Sequence, residues 1–247
     1  MSTFALKLVA IITMLIDHVT AVLVPVDTWL YIAGRLIGRL ALPIFVFLLV
    51  EGFYNTRSVK KYLTRLGIFA LISELPFDLA FYNSFFSKSG GDIKADLPRI
   101  FSDAKIFDIV LERFMRHQNI FFTLFLGLMT IWLMSMVEKR FKNNMLYVNI
   151  INAIITIASC LIAVILRTDY NFRGVLLIVA FYLFRGSKAL LVLSLLIISF
   201  DIVQAFSALA VLPIAFYNGK KGTGMKYFFY AFYPVHLLLL YVIVLIT

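Results

Sequence analysis

The sequence predicts an all-α, polytopic integral membrane protein, a bundle of about nine transmembrane helices with eight to ten as the range. Hydrophobic residues make up 62% of the 247 residues and charged residues only 15%, whereas soluble domains are roughly 45–50% apolar. Apolar runs that approach or reach the ~20 residues needed to cross a bilayer also recur along the chain. A soluble globular domain is excluded because too few polar residues remain to cover its surface.

The order of apolar runs predicts nine spans within one transmembrane domain, residues 1–247. The sixth, seventh and eighth are short. The spans cover residues 5–24, 29–53, 62–82, 119–137, 146–166, 173–184, 189–203, 204–217 and 227–246.

A long loop at about 83–118 separates the third and fourth spans. Within it, apolar residues recur at helical spacing over about 106–114, with charges between them. We expect an amphipathic helix on the outer leaflet here, and a lid over a cavity mouth is the alternative.

The distribution of basic residues predicts the orientation of the bundle. With the N-terminus inside, the cytoplasmic loops hold thirteen basic residues and one acidic residue, Glu138, while the outer side holds eight basic and seven acidic residues. This asymmetry follows the positive-inside rule and predicts an N-in, C-out topology. The net charge of +10 is therefore an orientation signal, and no nucleic-acid partner is expected.

Ionisable residues inside the apolar runs are the candidate functional residues. A charge at membrane depth costs at least ~2.5–3.5 kcal/mol on insertion scales, so it is rarely accidental. They are Asp17, His18, Arg35, Arg39, Glu74, Asp78, Asp201 and His236. At ~1.5 Å per residue, the Asp-His, arginine and acidic pairs lie at a similar depth in the outer half of the membrane.

Mutual neutralisation is one interpretation of the arginine and acidic pairs. Arg35 and Arg39 share a helix face, as do Glu74 and Asp78, with Pro76 between them predicting a kink. An ion-pair network of these four residues would hold the helices in register and need have no further function.

His18 is not accounted for by that network, because the charges of the two arginines and the two acidic residues already cancel. A histidine beside a carboxylate, Asp17, at membrane depth is a candidate general base or proton carrier. His117, at the edge of the outer loop, is predicted to have no special role. A proton-coupled transporter that uses the same buried residues is the alternative function, although no internal repeat supports it.

A basic cluster at the start of the third span is a candidate phosphate site. It consists of Arg57, Lys60, Lys61 and Arg65. Paired cations at a membrane rim suit a phosphorylated ligand from the cytoplasm, although they can also serve only as orientation signals. No His-x-x-x-His or Cys-x-x-Cys spacing is present, so no metal is expected.

Five blocks of the sequence resemble the TraX family, bacterial inner-membrane proteins named for acetylation of conjugative pilin at its N-terminus. Together they span nearly the whole chain apart from the long loop. The blocks are LKLVAIITMLIDH (6–18), GRLIGRLALPIFVFLLVEGF (34–53), VKKYLTRLGIFALISELPFD (59–78), QNIFFTLFLG (118–127) and YFFYAFYPVH (227–236).

TraX proteins are in turn similar to a wider set of transmembrane acyltransferases, which includes the acyltransferase-three family. The resemblance implies a multi-pass protein of the bacterial cytoplasmic membrane that uses cytoplasmic acetyl-CoA as acyl donor. The acceptor would lie on the far side, a peptide or pilin N-terminus or an envelope glycan. A non-catalytic assembly factor is a further alternative.

The resemblance also implies roles for particular residues. His18 matches the catalytic membrane histidine, with Asp17 assisting it, and Lys61 and Arg65 are the best match to a basic pair on the CoA side, with Arg57 and Lys60 beside them. The other expected roles concern the substrate cavity. Under an acetyltransferase hypothesis, Arg35 and Arg39 would stabilise the thioester oxyanion or negative charge elsewhere on a ligand. Glu74 and Asp78 would orient the arginines, and Asn119 and His236 would line the cavity.

Overall fold

The computed structural model describes residues 1–86, 92–198 and 202–246, and within these ranges the chain is helical with no β-strand. The predicted all-α class is confirmed. Asp201 lies outside the described residues. The α-helices are α1 (Thr3–Leu23), α2 (Trp29–Gly38), α3 (Ala41–Asn55), α4 (Val59–Phe86), α5 (Ile93–Asp96), α6 (Ala104–Phe114), α7 (Ile120–Arg140), α8 (Met145–Ile165), α9 (Asn171–Leu183), α10 (Lys188–Ile198), α11 (Ile202–Ala205), α12 (Val211–Ala215) and α13 (Lys226–Ile246), with 3-10 turns at Leu97–Arg99 and Phe206–Ala210.

Five helical segments of the described chain are long and apolar enough to cross a bilayer, so the protein is a membrane protein in contact with lipid. Helix α4 is also long, at 28 residues, but carries several charged side chains. The count of nine spans and the N-in orientation stay predictions. The five segments are Thr3–Leu23, Trp29–Asn55, Ile120–Arg140, Met145–Ile165 and Tyr227–Ile246.

Polar caps fix where several helices begin. The Ser2 hydroxyl accepts from the Ala5 amide at 3.2 Å, and the Thr28 hydroxyl accepts from the Tyr31 amide at 3.2 Å. Asn119 accepts from the Phe121 amide at 3.0 Å. Each cap satisfies an amide that has no partner within its own helix.

The predicted second span is two helices rather than one. The break between α2 and α3 falls at Arg39 and Leu40, where the Arg39 amide bonds to both Arg35 O and Leu36 O in a tightened turn. The Arg39 side chain at this joint is only 7% exposed. The break therefore places a guanidinium inside the bundle.

Helices α1 and α2 approach closely at two glycines four residues apart. A Cβ at Gly34 would overlap the Thr20 side chain, and a Cβ at Gly38 would overlap the Asp17 side chain. Small residues at this spacing let membrane helices pack backbone against backbone. The close packing brings Asp17 of α1 next to Arg35 of α2 and to Arg39 at the joint.

The long loop begins later than predicted, because α4 continues to Phe86. The predicted amphipathic helix is present as α6, Ala104–Phe114. Val110 of α6 is buried with Tyr82 of α4 and Ile93 of α5 in a small apolar cluster. The loop helices are thus packed onto the end of α4.

Candidate functional site

A cavity of about 1160 Å³ lies inside the bundle, between α1, α3, α4, α7 and α9. Its lining includes Thr3 and Lys221 at one end and Ala21, His117 and Asp169 at the other. Since Thr3 and Ala21 are 18 positions apart on α1, the cavity extends ~27 Å along that helix. It therefore connects regions near both ends of the bundle.

Two histidines from α1 and α13 are hydrogen-bonded at the wall of this cavity. His18 lines the cavity, and its Nδ1 lies 2.8 Å from His236 Nε2. His236 Nδ1 lies 2.8 Å from Phe232 O. The two rings are stacked, with centroids 5.0 Å apart.

The bond to the Phe232 carbonyl determines the tautomers of both neutral rings. A carbonyl oxygen only accepts, so His236 donates from Nδ1 and carries its lone pair on Nε2. His18 must then donate from Nδ1 to His236 Nε2. The lone pair of His18 is therefore on Nε2, where it is available as a base or nucleophile.

Asp17 pairs with both arginines of the second span. Its Oδ1 lies 2.9 Å from Arg35 Nη1 and 3.3 Å from Arg39 Nη2. All three residues line the cavity. Asp169 is a second carboxylate within electrostatic range of Arg39. The guanidinium N–H groups of Arg35 and Arg39 can still donate to an anion or a developing oxyanion beside His18.

The predicted neutralisation of the arginines by Glu74 and Asp78 is wrong. In the described part of the chain, Asp17 forms the ion pairs of both arginines, because the glycine contacts of α1 and α2 bring these residues together. The structure also gives His18 a different polar partner from the predicted Asp17. Successive helical side chains point ~100° apart, so Asp17 faces α2 while His18 faces α13.

Glu74 is held by Asn119 instead of by an arginine. The backbone N–H of Asn119 donates to Glu74 Oε2 at 3.1 Å, and its side-chain Nδ2 donates to the same oxygen at 2.5 Å. Nδ2 also donates to Ala70 O at 2.8 Å. Neither Asn119 nor His236 is among the described residues that line the cavity, although both were predicted to line it. Asn119 links α4 to α7, and His236 lies behind His18.

A second histidine–carboxylate contact lies at the rim near the end of α1. His117 Nε2 lies 3.6 Å from Asp169 Oδ1, and this contact raises the pKa of His117. Both residues line the cavity. Sequence reasoning assigned His117 no role, since its partner is 52 positions away. The pair provides a titratable group at the cavity mouth.

The loop that carries Asp169 has an unusual backbone. Arg167, Tyr170 and Asn171 have φ values of 52°, 57° and 51°, a region that costs energy for residues other than glycine. The Asp169 amide donates to Gln118 O at 2.8 Å, which ties the loop to the segment before α7. The strained backbone therefore lies at the cavity rim.

The predicted phosphate cluster is only partly at the cavity. Of its four members, only Arg65 is among the described lining residues. Basic residues that sequence reasoning assigned to no site also line the cavity: Lys7 and Lys221 at the same end as Arg65, and Arg116, Arg167 and Arg173 elsewhere. Lys7 could have been identified as a candidate because its charge lies within the first apolar run. Nothing in the local sequence distinguishes Lys221 from other basic loop residues. The members outside the lining are Arg57, Lys60 and Lys61.

Comparisons with family models and with known proteins both give sequence matches. The family model described as TraX protein matches residues 2–90 and 100–244. A relative named "Probable fimbrial assembly protein FimC, serogroup H1", from Dichelobacter nodosus, is 32% identical over 251 residues, covering 97% of this chain and 94% of the relative. No solved structure matches the chain. The match over nearly the whole chain shows that this protein belongs to the TraX family.

Proposed function

We propose that this protein is a membrane-embedded acetyltransferase that moves an acetyl group from cytoplasmic acetyl-CoA to an acceptor on the extracytoplasmic side. Membership of the TraX family supports the reaction class. The relative named as a fimbrial assembly protein supports a pilin N-terminus as acceptor, with an envelope glycan as the other candidate. The proposed location is the bacterial cytoplasmic membrane.

The observation that carries the proposal is the position of His18. Its Nε2 lone pair is free in the inferred tautomer, and the residue lines a cavity that extends between the two ends of the bundle. A donor from one side of the membrane and an acceptor from the other can both reach a base placed there. A residue needed only for packing would not require this exposure to the cavity.

In the proposed reaction, His18 Nε2 takes a proton from the acceptor amine or hydroxyl as that group attacks the thioester carbonyl. The acceptor–carbonyl bond forms, the carbon–sulfur bond breaks, and the CoA thiolate takes up the proton from His18. Arg35 and Arg39, which are paired with Asp17, would stabilise the oxyanion. His236 stabilises the imidazolium through the bond at Nδ1.

The same histidine can instead carry the acetyl group. In that variant, Nε2 attacks the thioester and CoA leaves as the thiolate. The acceptor then displaces the imidazole from the acetyl carbon and loses its proton to His18, which passes it on to the thiolate or to water. A labelled acetyl-histidine in protein incubated with acetyl-CoA alone would distinguish the two routes.

The donor is proposed to bind at the end of the cavity near the start of α1. Lys7, Arg65 and Lys221 line this end and offer charge-assisted contacts to the phosphates of CoA. The Arg65 guanidinium also lies over the Tyr62 ring, 5.5 Å from its centroid. In the predicted N-in topology this end faces the cytoplasm, where acetyl-CoA is made.

The test is acetyl-CoA turnover by the purified protein in nanodiscs, with a free-amine peptide or a glycan as acceptor. We expect His18→Ala to lower turnover by about 10²–10⁴-fold, the usual contribution of a general base, while acetyl-CoA binding persists. Ile12→Ala is the matched control, because Ile12 lies on the same helix and is 55% exposed. Equal turnover in wild type and His18→Ala would remove His18 from the mechanism.

A proton-coupled transporter is the second candidate, because a long cavity with buried ionisable residues also suits transport. It predicts proton or substrate flux in proteoliposomes without acetyl-CoA. Absence of any acetyl-CoA binding, together with such flux, would replace the acetyltransferase proposal with this one.

A further inference from the structure

A second, smaller cleft of about 290 Å³ lies on another face of α4. Phe77 and Phe81 of α4 line the main cavity, whereas this cleft lies beside Leu71 and Leu75, which are 71% and 56% exposed. In the predicted topology α4 is the third span, in which large exposed leucines face lipid. Phe114 and Met115, at the end of α6, form the opposite wall. The cleft therefore opens sideways towards the bilayer.

Two carboxylates lie in this apolar cleft without an ion pair in the described structure, and the titratable cation that interacts electrostatically with Glu74 is His117. Asp78 is 8% exposed, lines the cleft, and has neither an ion pair nor a hydrogen bond among the described residues. Glu74 also lines the cleft, and its Oε1 is buried without a partner while Oε2 accepts from Asn119. The two residues are four positions apart on one face of α4.

Such a pair is costly unless something else satisfies it. Like-charged carboxylates in an apolar setting disfavour each other's ionised form, and both Glu74 Oε1 and the Asp78 carboxylate lack a donor among the described residues. The arginines that could have supplied one are paired with Asp17. A cationic hydrogen-bond donor that comes from outside the chain meets both needs.

We propose that this cleft binds the primary ammonium group at the amino terminus of a membrane-embedded peptide. A protonated amine has three N–H donors and a positive charge, which match the free oxygens of Glu74 and Asp78. The leucines of α4 and the α6 side chains then contact the apolar residues that follow the amine. Charge complementarity and the sideways opening both favour an acceptor that enters from the lipid.

The cleft is placed to deliver such a peptide to the reaction site. Gln118 lines the cleft, and its neighbour His117 lines the main cavity, so one short segment forms part of both walls. This inference rests on the proposed function, in which an extracytoplasmic amine is acetylated. It adds a lateral route and names the residues that recognise the charged form of the acceptor.

Binding is measured without acetyl-CoA, so that the result is independent of turnover. The protein is placed in nanodiscs of phosphatidylglycerol and phosphatidylcholine, which have no primary amine. A labelled apolar helical peptide of ~20 residues is added with a free or an acetylated amino terminus, and binding is followed by fluorescence energy transfer. A hydrogen-bonded charge pair predicts roughly 10- to 100-fold tighter binding of the free amine.

The variants test the carboxylates directly. We expect Asp78→Asn and Glu74→Gln to bind the free-amine peptide as weakly as the acetylated one, whereas Asp108→Asn, which removes an exposed carboxylate of α6 outside the cleft, keeps wild-type binding. The comparison of the free and acetylated peptides uses wild-type protein, so its result does not depend on whether any variant folds.

Two results would overturn the inference. Equal affinity for the free and acetylated peptides would show that the amine is not recognised. Displacement of the peptide by phosphatidylethanolamine in wild type, but not in Asp78→Asn, would assign the site to a lipid headgroup. If turnover is absent but the free amine is still preferred, the proposed reaction fails while the binding site stands.

Discussion

Replacing His236 with alanine is expected to lower the rate of acetyl transfer without removing any group that touches the substrate. His236 Nε2 is the acceptor for His18 Nδ1 at 2.8 Å, and its own Nδ1 is held by the Phe232 carbonyl. Without this acceptor, His18 no longer has a preferred tautomer, and a population with the proton on Nε2 cannot act as base.

The size of the effect follows from the lost hydrogen bond. Leaving a buried donor unsatisfied costs about 1–3 kcal/mol, which corresponds to roughly 5- to 150-fold in rate. His236→Ala should therefore be impaired less than His18→Ala, which loses the base itself. His236→Gln places a side-chain oxygen near the position of Nε2, so it should recover most of the activity.

The assay is acetyl-CoA turnover in nanodiscs at a fixed, saturating acetyl-CoA concentration. Leu239→Ala is the matched control, since Leu239 lies on the same helix and is 60% exposed. A wild-type rate for His236→Ala would refute the hydrogen-bond chain as the source of the His18 tautomer. Equal loss in the alanine and glutamine variants would show that the ring itself matters.

Three further predictions concern the surroundings of His18. Gly38→Ala should lower both the melting temperature in detergent and turnover, because a Cβ there overlaps Asp17, whereas Gly224→Ala has open space and should be neutral in both. Asp17→Asn should destabilise the fold by about 3 kcal/mol or more by leaving two guanidiniums without their carboxylate; an unchanged melting temperature would contradict this. The raised pKa of His117 means that its contact with Asp169 stabilises the fold fully below about pH 6.5 and loses this effect as pH rises through the folded pKa. The melting-temperature difference between wild type and Asp169→Asn should therefore shrink from acid to alkaline pH, and a difference that grows would refute the assignment.

The helices were predictable because the bilayer imposes a simple length requirement on apolar runs. Predicted starts such as residue 29 coincide with a capped helix start, Trp29 after Thr28. The break at Arg39 and Leu40 was not predictable from hydropathy, since apolar residues flank it on both sides. Its position depends on how α2 packs against α1 through Gly34 and Gly38, which is a tertiary contact.

The candidate site shows the same division between local and long-range information. His18 and the two arginines were identifiable because charge at membrane depth is costly wherever it occurs. The partners of these residues were not identifiable, because a count of charges allows each arginine to be paired with any of several acidic residues. The bond from His18 to His236 joins residues 218 positions apart, and only the packing of α1 against α13 reveals it.

The long cavity also has a consequence for the membrane potential of the cell. Where it runs beside α1 for ~27 Å, the hydrocarbon barrier to ions is locally thin. Each positive charge that leaked inward would dissipate ~2.3 kcal/mol per 100 mV of membrane potential. The guanidiniums of Arg35 and Arg39 at the cavity wall oppose passage of cations, as arginines do in water-selective pores. The cluster that favours an anionic transition state would thus also help to keep the membrane electrically sealed.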